Sequence, residues 1–510
     1  MVSELREHVI AYIESHHKLA EASAVDLLLE DHQPILLCQA ALDLLGAEAP
    51  LLTRELVEEV AGHRAALRPR VEPRRSESAS SGSTAEAWSE VGYALIAEGF
   101  VSPPAHQDPL AAYQRLFADR YRRLRRLLVV RPGLSGARSM KDARTAEREL
   151  QVIGLVREVH TTPRQRHVIL TVEDESGALE VLIPRDSPLA AQPILSDEVL
   201  GLSLKRSKDA SKLPVVDEIE RPDVPFGRSA TAASRPGKAI FLSDLHLGSK
   251  TFLDEPWGRL VDFLHGRGPE AEAAEGIAFA VVAGDLVDGI GIYPRQERDL
   301  AIVDVLEQYA ELGRRLRELP STLEIVVLPG NHDAVSPAEP QPALAPGLAR
   351  YLPQNVHSVA NPSTFALNGV VVEAYHGRGF DDLIPALPGT SYARPTEVMK
   401  RMLAMRHLAP IYGGRTPLAP LPRDGLVIDP APDILVTGHA HTYSADQYHG
   451  VLLLNVSTWQ GETEYQRMRN ISPVPGRAAI VDLAQPSRLS TLVTLDAMGP
   501  KVTLRAGGPQ

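Results

Sequence analysis

Five apolar runs between residues 239 and 437 stop abruptly at residues that can bind a metal ion. Ala239 to Leu242 leads to Asp244 and His246, Ile277 to Ala283 to Asp285 and Asp288, and Leu323 to Leu328 to Asn331, His332 and Asp333. Val370 to Glu373 leads to His376, and Ile434 to Thr437 to His439 and His441. Short continuous apolar runs of this kind predict buried, largely parallel strands, whose carboxyl ends deliver side chains to one rim. Helical stretches around residues 257–266 and 299–319 fall between them, so residues 235–483 read as a layered α/β domain.

Upstream the pattern changes. Residues 149–225 alternate apolar and polar positions in short runs, Val152 to Val156, Val168 to Val172 and Leu179 to Ile183, separated by polar turns. That predicts a small barrel of OB type. This segment contains no Phe, Tyr or Trp, so it lacks the stacking platform by which such barrels hold single strands, and a structural or subunit-contact role is favoured.

Residues 108–148 open with a helix over 108–128. Leu110, Tyr113, Leu116, Phe117, Tyr121, Leu124 and Leu128 form its apolar stripe, while a cluster of arginines is expected on a solvated face or against an acidic partner. Residues 1–63 show helical spacing and read as a helical docking domain. Residues 64–107 begin rich in Arg, Pro and Ser and read as a flexible linker. Residues 484–510 form a C-terminal extension whose short β-like runs suit an edge hairpin.

Composition narrows the class. A chain of 510 residues is too long for one core. The single cysteine, Cys38, excludes an intrachain disulfide and a cysteine zinc site, and its apolar surroundings place it in a core. No run of eighteen apolar residues and no basic leader with an apolar segment occurs, so no membrane association and a cytoplasmic location are expected. The net charge of −12 argues against generalised adhesion to nucleic acid.

Mixed imidazole, carboxylate and amide donors suit Mn, Fe, Zn and related divalent ions, and a pair of such ions can stabilise both the entering and the leaving oxygen of a phosphoryl displacement. The order D-x-H, G-D-x-x-D, G-N-H-D, H and G-H-x-H resembles the calcineurin-like binuclear metallophosphoesterases. The resemblance implies Asp244, His246 and His441 on one ion, Asn331, His376 and His439 on a second, and Asp285 between them. It leaves His332 as a catalytic group that steadies the phosphate or protonates the departing oxygen, with Asp333 as its orienting partner. Two divalent cations are expected, Mn²⁺ first, with Mg²⁺, Fe²⁺ or Zn²⁺ as alternatives. Asp288 is expected to support the site without ligating. Arg378 is expected either to touch a phosphate or to pair with Asp381 or Asp382, and Tyr412 and Trp459 are expected in the core.

Further stretches narrow the choice: Tyr375 to Asp382, Arg406 to Tyr412, Leu426 to Asp429 and Asn455 to Gln460. With the barrel and the helical unit, they resemble the small subunit of the archaeal family-D DNA polymerase. That resemblance implies a 3′-to-5′ proofreading exonuclease acting on DNA with a 3′ end, bound to a large catalytic polymerase subunit as a heterodimer or larger assembly. Asn455-Val456-Ser457 departs from the Asn-Ser-Gly expected there, which bears on loop shape. The alternatives are a non-catalytic assembly subunit and a small-molecule phosphoesterase.

Overall fold

In the computed structural model the described residues are 92–506, except 104–107, 147–148, 206–212, 232, 269, 469–471 and 496–501, together with 19–20, 22–30, 38, 51–52, 54 and 57. The chain divides into two compact units, residues 1–85 and 86–510. In the first, the helix Ala22–Glu30 accompanies a short parallel pairing of Leu19–Ala20 with Leu51–Leu52, and Cys38 is buried. The rest of the expected helical domain, and residues 64–91 of the expected linker, lie outside the described residues.

The second unit is built on two packed sheets. One has seven strands in the order Val356–Ser358, Glu324–Leu328, Ile277–Ala283, Lys238–Leu242, Arg477–Asp482, Thr491–Leu495 and Val502–Ala506. Its first four strands are parallel to one another, and the last three join antiparallel. The other has six, ordered Ser444–Tyr448, Val451–Asn455, Ile434–Thr437, Val370–Ala374, Ser363–Leu367 and Tyr93–Glu98.

Alternation along each strand explains why both faces are apolar. Ala239, Phe241, Phe279 and Val281 point between the sheets and meet Phe365, Val372, Val436 and Leu454. Ile240, Leu242, Ala280 and Val282 point the other way, against Trp257, Leu260, Tyr309 and Leu312 of the helices Asp254–Leu264 and Val305–Arg317. On the far side, Leu435 and Leu453 pack against Val398, Met402 and Leu403 of the helix Pro395–Met405. The result is a helix-sheet-sheet-helix sandwich.

Two boundaries differ from expectation. The expected linker over 64–107 contains a strand: Tyr93–Glu98 pairs antiparallel with Ser363–Leu367 at the sheet edge. Its signal is weak because an edge strand has a wet side, and Leu95 and Ile96 are 43% and 46% exposed. The C-terminal strands Thr491–Leu495 and Val502–Ala506 extend the seven-stranded sheet, so the residues read as a separate extension belong to the sandwich.

The strands Leu150–Thr161, Val168–Asp174, Gly177–Ile183, Val215–Glu220 and Val199–Lys205 close into a barrel in that order. The helix Pro109–Val129, capped by Asp108, lies between barrel and sandwich: Tyr121, Leu124 and Leu128 pack with Ile153, Leu155 and Val199 of the barrel and with Val427. Contrary to a wholly solvated reading, some of its arginines are buried. Arg120 is fully buried, its Nε donating to Asp424 at 2.6 Å and Nη1 to the Pro410 carbonyl at 2.6 Å. Arg123 donates to the Asp424 carbonyl, and Arg126 pairs with Asp429 at the surface. Acidic partners supplied by the same chain pin the helix down. Among the described residues no helix is long and apolar enough to cross a membrane.

Candidate metal centre

Five strands, three from one sheet and two from the other, end at one rim. Asp244 and His246 follow Lys238–Leu242, Asp285 follows Ile277–Ala283, and Asn331 and His332 follow Glu324–Leu328. His376 follows Val370–Ala374, and His439 and His441 follow Ile434–Thr437. The donor atoms of Asp244, His246, Asp285 and His441 lie within 4.8 Å of one another, as do those of Asp285, His376 and His439. Asp285 is common to both groups. Asn331 Oδ1 lies 3.1 Å from His376 Nε2 and so joins the second.

The backbone is strained where these side chains leave it. Asp244, His246, Asp285, His439 and His441 all have left-handed φ values, between 48° and 64°. Each such conformation costs on the order of 1–3 kcal/mol and persists only where its surroundings over-determine it. Here the Asp244 and His246 amides donate to the Gly284 and Asp285 carbonyls at 3.0 Å, and the His439 amide donates to the Asp244 carboxylate. Two glycines are required for space, since a Cβ at Gly330 would overlap Asp285 Oδ1 and one at Gly438 would overlap Ser243 Oγ.

The donor set fits a divalent cation. His246 Nε2 and His441 Nε2 face each other at 3.0 Å, with Asp244 Oδ1 3.2 Å from His441 Nε2 and Asp285 Oδ2 3.3 Å from His376 Nε2. Burial would raise the Asp244 and Asp285 carboxyls, yet the surrounding imidazoles, led by His441 and His376 respectively, hold both well below the usual range. Burial works against charge on His376 too, but Asp285 outweighs it and lifts the imidazole to about 10. Burial holds His332 and His441 the other way, below the usual imidazole range, so the carboxylates stay ionised among imidazoles of both kinds.

A second layer of partners fixes the rings. His246 Nδ1 meets Asp288 Oδ1 at 2.9 Å, and Gln460 Nε2 donates to the same oxygen at 3.1 Å. His376 Nδ1–H points at the Ala283 carbonyl at 2.9 Å, while Asn361 Oδ1 accepts the His376 amide. The motif Asn455 to Gln460 buttresses the loops: Asn455 Nδ2 donates to the Gly438 carbonyl at 2.7 Å and Thr458 Oγ1 to the Asp244 carbonyl at 3.0 Å. Val456 lies in the core between the sheets and Trp459 in the core on the helix side, so the unexpected valine is accommodated there.

Several residues stand elsewhere than expected, or were missed. Asp333 does not orient His332. Its carboxylate accepts the Leu286 and Gly330 amides and the Tyr309 hydroxyl, tying three segments together, and burial and Asp285 push it up to about 7. His332 Nδ1 instead meets the Asp288 carbonyl at 2.8 Å. Asp381 meets His439 Nε2 at 3.1 Å, and the Gln466 amide meets His441 Nδ1 at 2.7 Å. Neither was readable, because a lone Asp in a helix start and a lone Gln carry no spacing signal. Tyr412 is not core; it is 49% exposed.

A cavity of about 900 Å³ opens over the cluster, lined by His246, Asp285, His332 and His439 and, farther out, by Arg378 and Arg415. Arg378 donates to the Pro337 carbonyl, so it is held at the cavity wall.

The family of B subunits of DNA polymerases alpha and epsilon matches residues 239–446. The DNA polymerase II small subunit of Archaeoglobus fulgidus is 43% identical over 336 residues, 65% of this chain and 67% of that one. That identity and coverage decide the matter. The chain belongs to the archaeal DNA polymerase II small subunit family. The family member from Thermoplasma acidophilum is 36% identical over 373 residues, 73% of this chain and 75% of that one. Among solved structures, the E. coli phosphoesterase Yfce aligns with 53% of this chain and 100% of its own at 17% identity, with a TM-score of 0.28.

Proposed function

We propose that this chain carries a metal-dependent 3′-to-5′ exonuclease that hydrolyses DNA phosphodiesters for proofreading, in complex with a large catalytic polymerase subunit. The single observation that supports it most is the convergence of seven donor residues from five strand ends, five of them on strained backbone. Strain of that kind is kept at functional sites. In this reading the barrel is of OB type and serves subunit contact, since it offers no aromatic platform.

Asp244, His246 and His441 would hold one ion, Asn331, His376 and His439 the other, with Asp285 shared. When bound, such ions supply charge that acidifies a water and neutralises the phosphoryl oxygens. Mn²⁺ is our first choice, with Mg²⁺, Fe²⁺ and Zn²⁺ as alternatives for the same donors. His332 is braced through Nδ1 on the Asp288 carbonyl, which leaves Nε2 to steady the scissile phosphate or pass a proton to the departing oxygen. Arg378 and Arg415 line the cavity, and in this reading they would meet phosphate groups.

The test is a strand labelled at its 5′ end and offered to the purified chain with Mn²⁺, with matched and mismatched 3′ ends. Stepwise shortening from the 3′ end, abolished in Asp285→Asn and His376→Ala, is the expected result. Cleavage that survives both substitutions rejects the site, and no cleavage by the parent, alone or with the polymerase subunit, leaves an assembly role.

A further inference from the structure

The strand expected to enter the cavity needs something to hold its bases, and the barrel has no aromatic residue to offer. The exposed loop 412–415 does. Arg415 at one end lines the cavity, and three residues of chain reach at most about 10 Å, so the Tyr412 backbone lies within that distance of the Arg415 backbone. The loop is anchored to the cavity wall, because the Arg415 and Thr416 amides donate to the Asp382 carboxylate and Thr416 Oγ1 donates to the Arg378 carbonyl at 3.0 Å. Arg378 itself lines the cavity.

Tyr412 is 49% exposed yet well braced. Its amide donates to Asp197 Oδ2 at 2.8 Å. Its ring meets Tyr113 and Phe117 of the helix Pro109–Val129 edge to face, at centroid distances of 5.0 and 5.6 Å, and the Arg120 guanidinium lies 4.8 Å over Phe117. Two ring contacts at steep interplanar angles, 62° and 90°, hold the ring in place. An exposed, pre-positioned aromatic on the same short loop as a cavity-lining arginine supplies the two parts by which proteins hold single-stranded nucleic acid: a cation for the backbone and a flat surface for a base.

We infer that Tyr412 is a stacking surface for an unpaired base of the strand whose 3′ end occupies the cavity, with Arg378 and Arg415 on the phosphates between. The inference rests on the nuclease reading for the direction of the strand, but the stacking itself is measurable without cleavage. The full chain in EDTA is titrated into a fluorescein-labelled thymidine single strand and followed by anisotropy.

Tyr412→Leu, which keeps an apolar contact to Tyr113 and Phe117, is expected to weaken binding about 5- to 150-fold, the range for loss of one stacked base. Tyr412→Phe and Tyr412→Trp are expected to bind within about twofold of the parent, because stacking needs the ring and not the hydroxyl. An unchanged melting temperature in Tyr412→Leu shows that packing survives. The inference is overturned if Tyr412→Leu binds like the parent, if Tyr412→Phe is as weak as Tyr412→Leu, or if the parent does not bind the strand. Ring-dependent binding without any Mn²⁺-supported cleavage, alone or with the polymerase subunit, would sink the nuclease reading while leaving this surface in place.

Discussion

Replacing Asp288 with Ala removes the carboxylate oxygen that meets His246 Nδ1 at 2.9 Å and accepts Gln460 Nε2–H at 3.1 Å. That bond fixes the ring so that Nε2 faces the cluster, where it lies 3.0 Å from His441 Nε2. Partners of this type, one step outside a metal ligand, are worth roughly 10–100-fold in affinity, or about 1.4–2.7 kcal/mol. Asp288 is buried, so no bulk water takes its place, and Asp288→Ala belongs near the upper end. Asp288→Asn keeps an oxygen able to accept both bonds and loses only the charge, so it belongs near the lower end. Calorimetric titration of the metal-free chain with Mn²⁺ reads both. The structure requires selectivity: Asp288 touches the ring of His246 but neither His376 nor His439, so one binding step should weaken and the other should hold. Equal weakening of both steps, or a change below about twofold in Asp288→Ala, would refute the reasoning.

Other outcomes follow from the same geometry. Asp285→Asn removes the carboxylate common to both donor groups and should abolish Mn²⁺-supported cleavage, with at least one binding step lost in the same titration. Asp424→Asn leaves the buried Arg120 guanidinium without its counter-charge and should cost about 3–5 kcal/mol in urea unfolding; a loss under about 1 kcal/mol would contradict the assignment. Glu373 is pushed up to about 7 from 4.5 by burial, against the opposing pull of the Thr364 hydroxyl and Arg123. Between those values the folded chain keeps a proton that the unfolded chain has released, so stability falls as pH rises through the window. Glu373→Gln should flatten that fall and gain up to about 3 kcal/mol over the parent above pH 7, measured by urea unfolding across the range. A parallel pH dependence in both proteins would show that Glu373 does not titrate there.

The partners that settle a charged side chain's surroundings lie far away along this chain. Arg120 and Asp424 are 304 residues apart, and a run of arginines on a helix looks solvated until the fold supplies carboxylates opposite them. Asp381 and His439 are 58 residues apart, and nothing near either marks them as partners. Asp333 follows His332 directly, and adjacency in sequence suggested a pairing that the loop geometry denies, since both Asp333 oxygens turn to backbone amides and Tyr309.

The amino-acid order by itself determined which residues form the cluster, because each of the seven donors sits at the end of an apolar run, and that coupling of run to donor is local. It also determined the barrel segment and the long helix through their periodicity. Only the tertiary structure decided that the five runs divide between two sheets, that Tyr93–Glu98 forms the edge of one, that five of the clustered donor residues stand on left-handed backbone, and that Tyr412 is half exposed. Strand order, burial and the partner of a charge depend on which distant segments pack together, and the free energy that selects them is spread over the whole core.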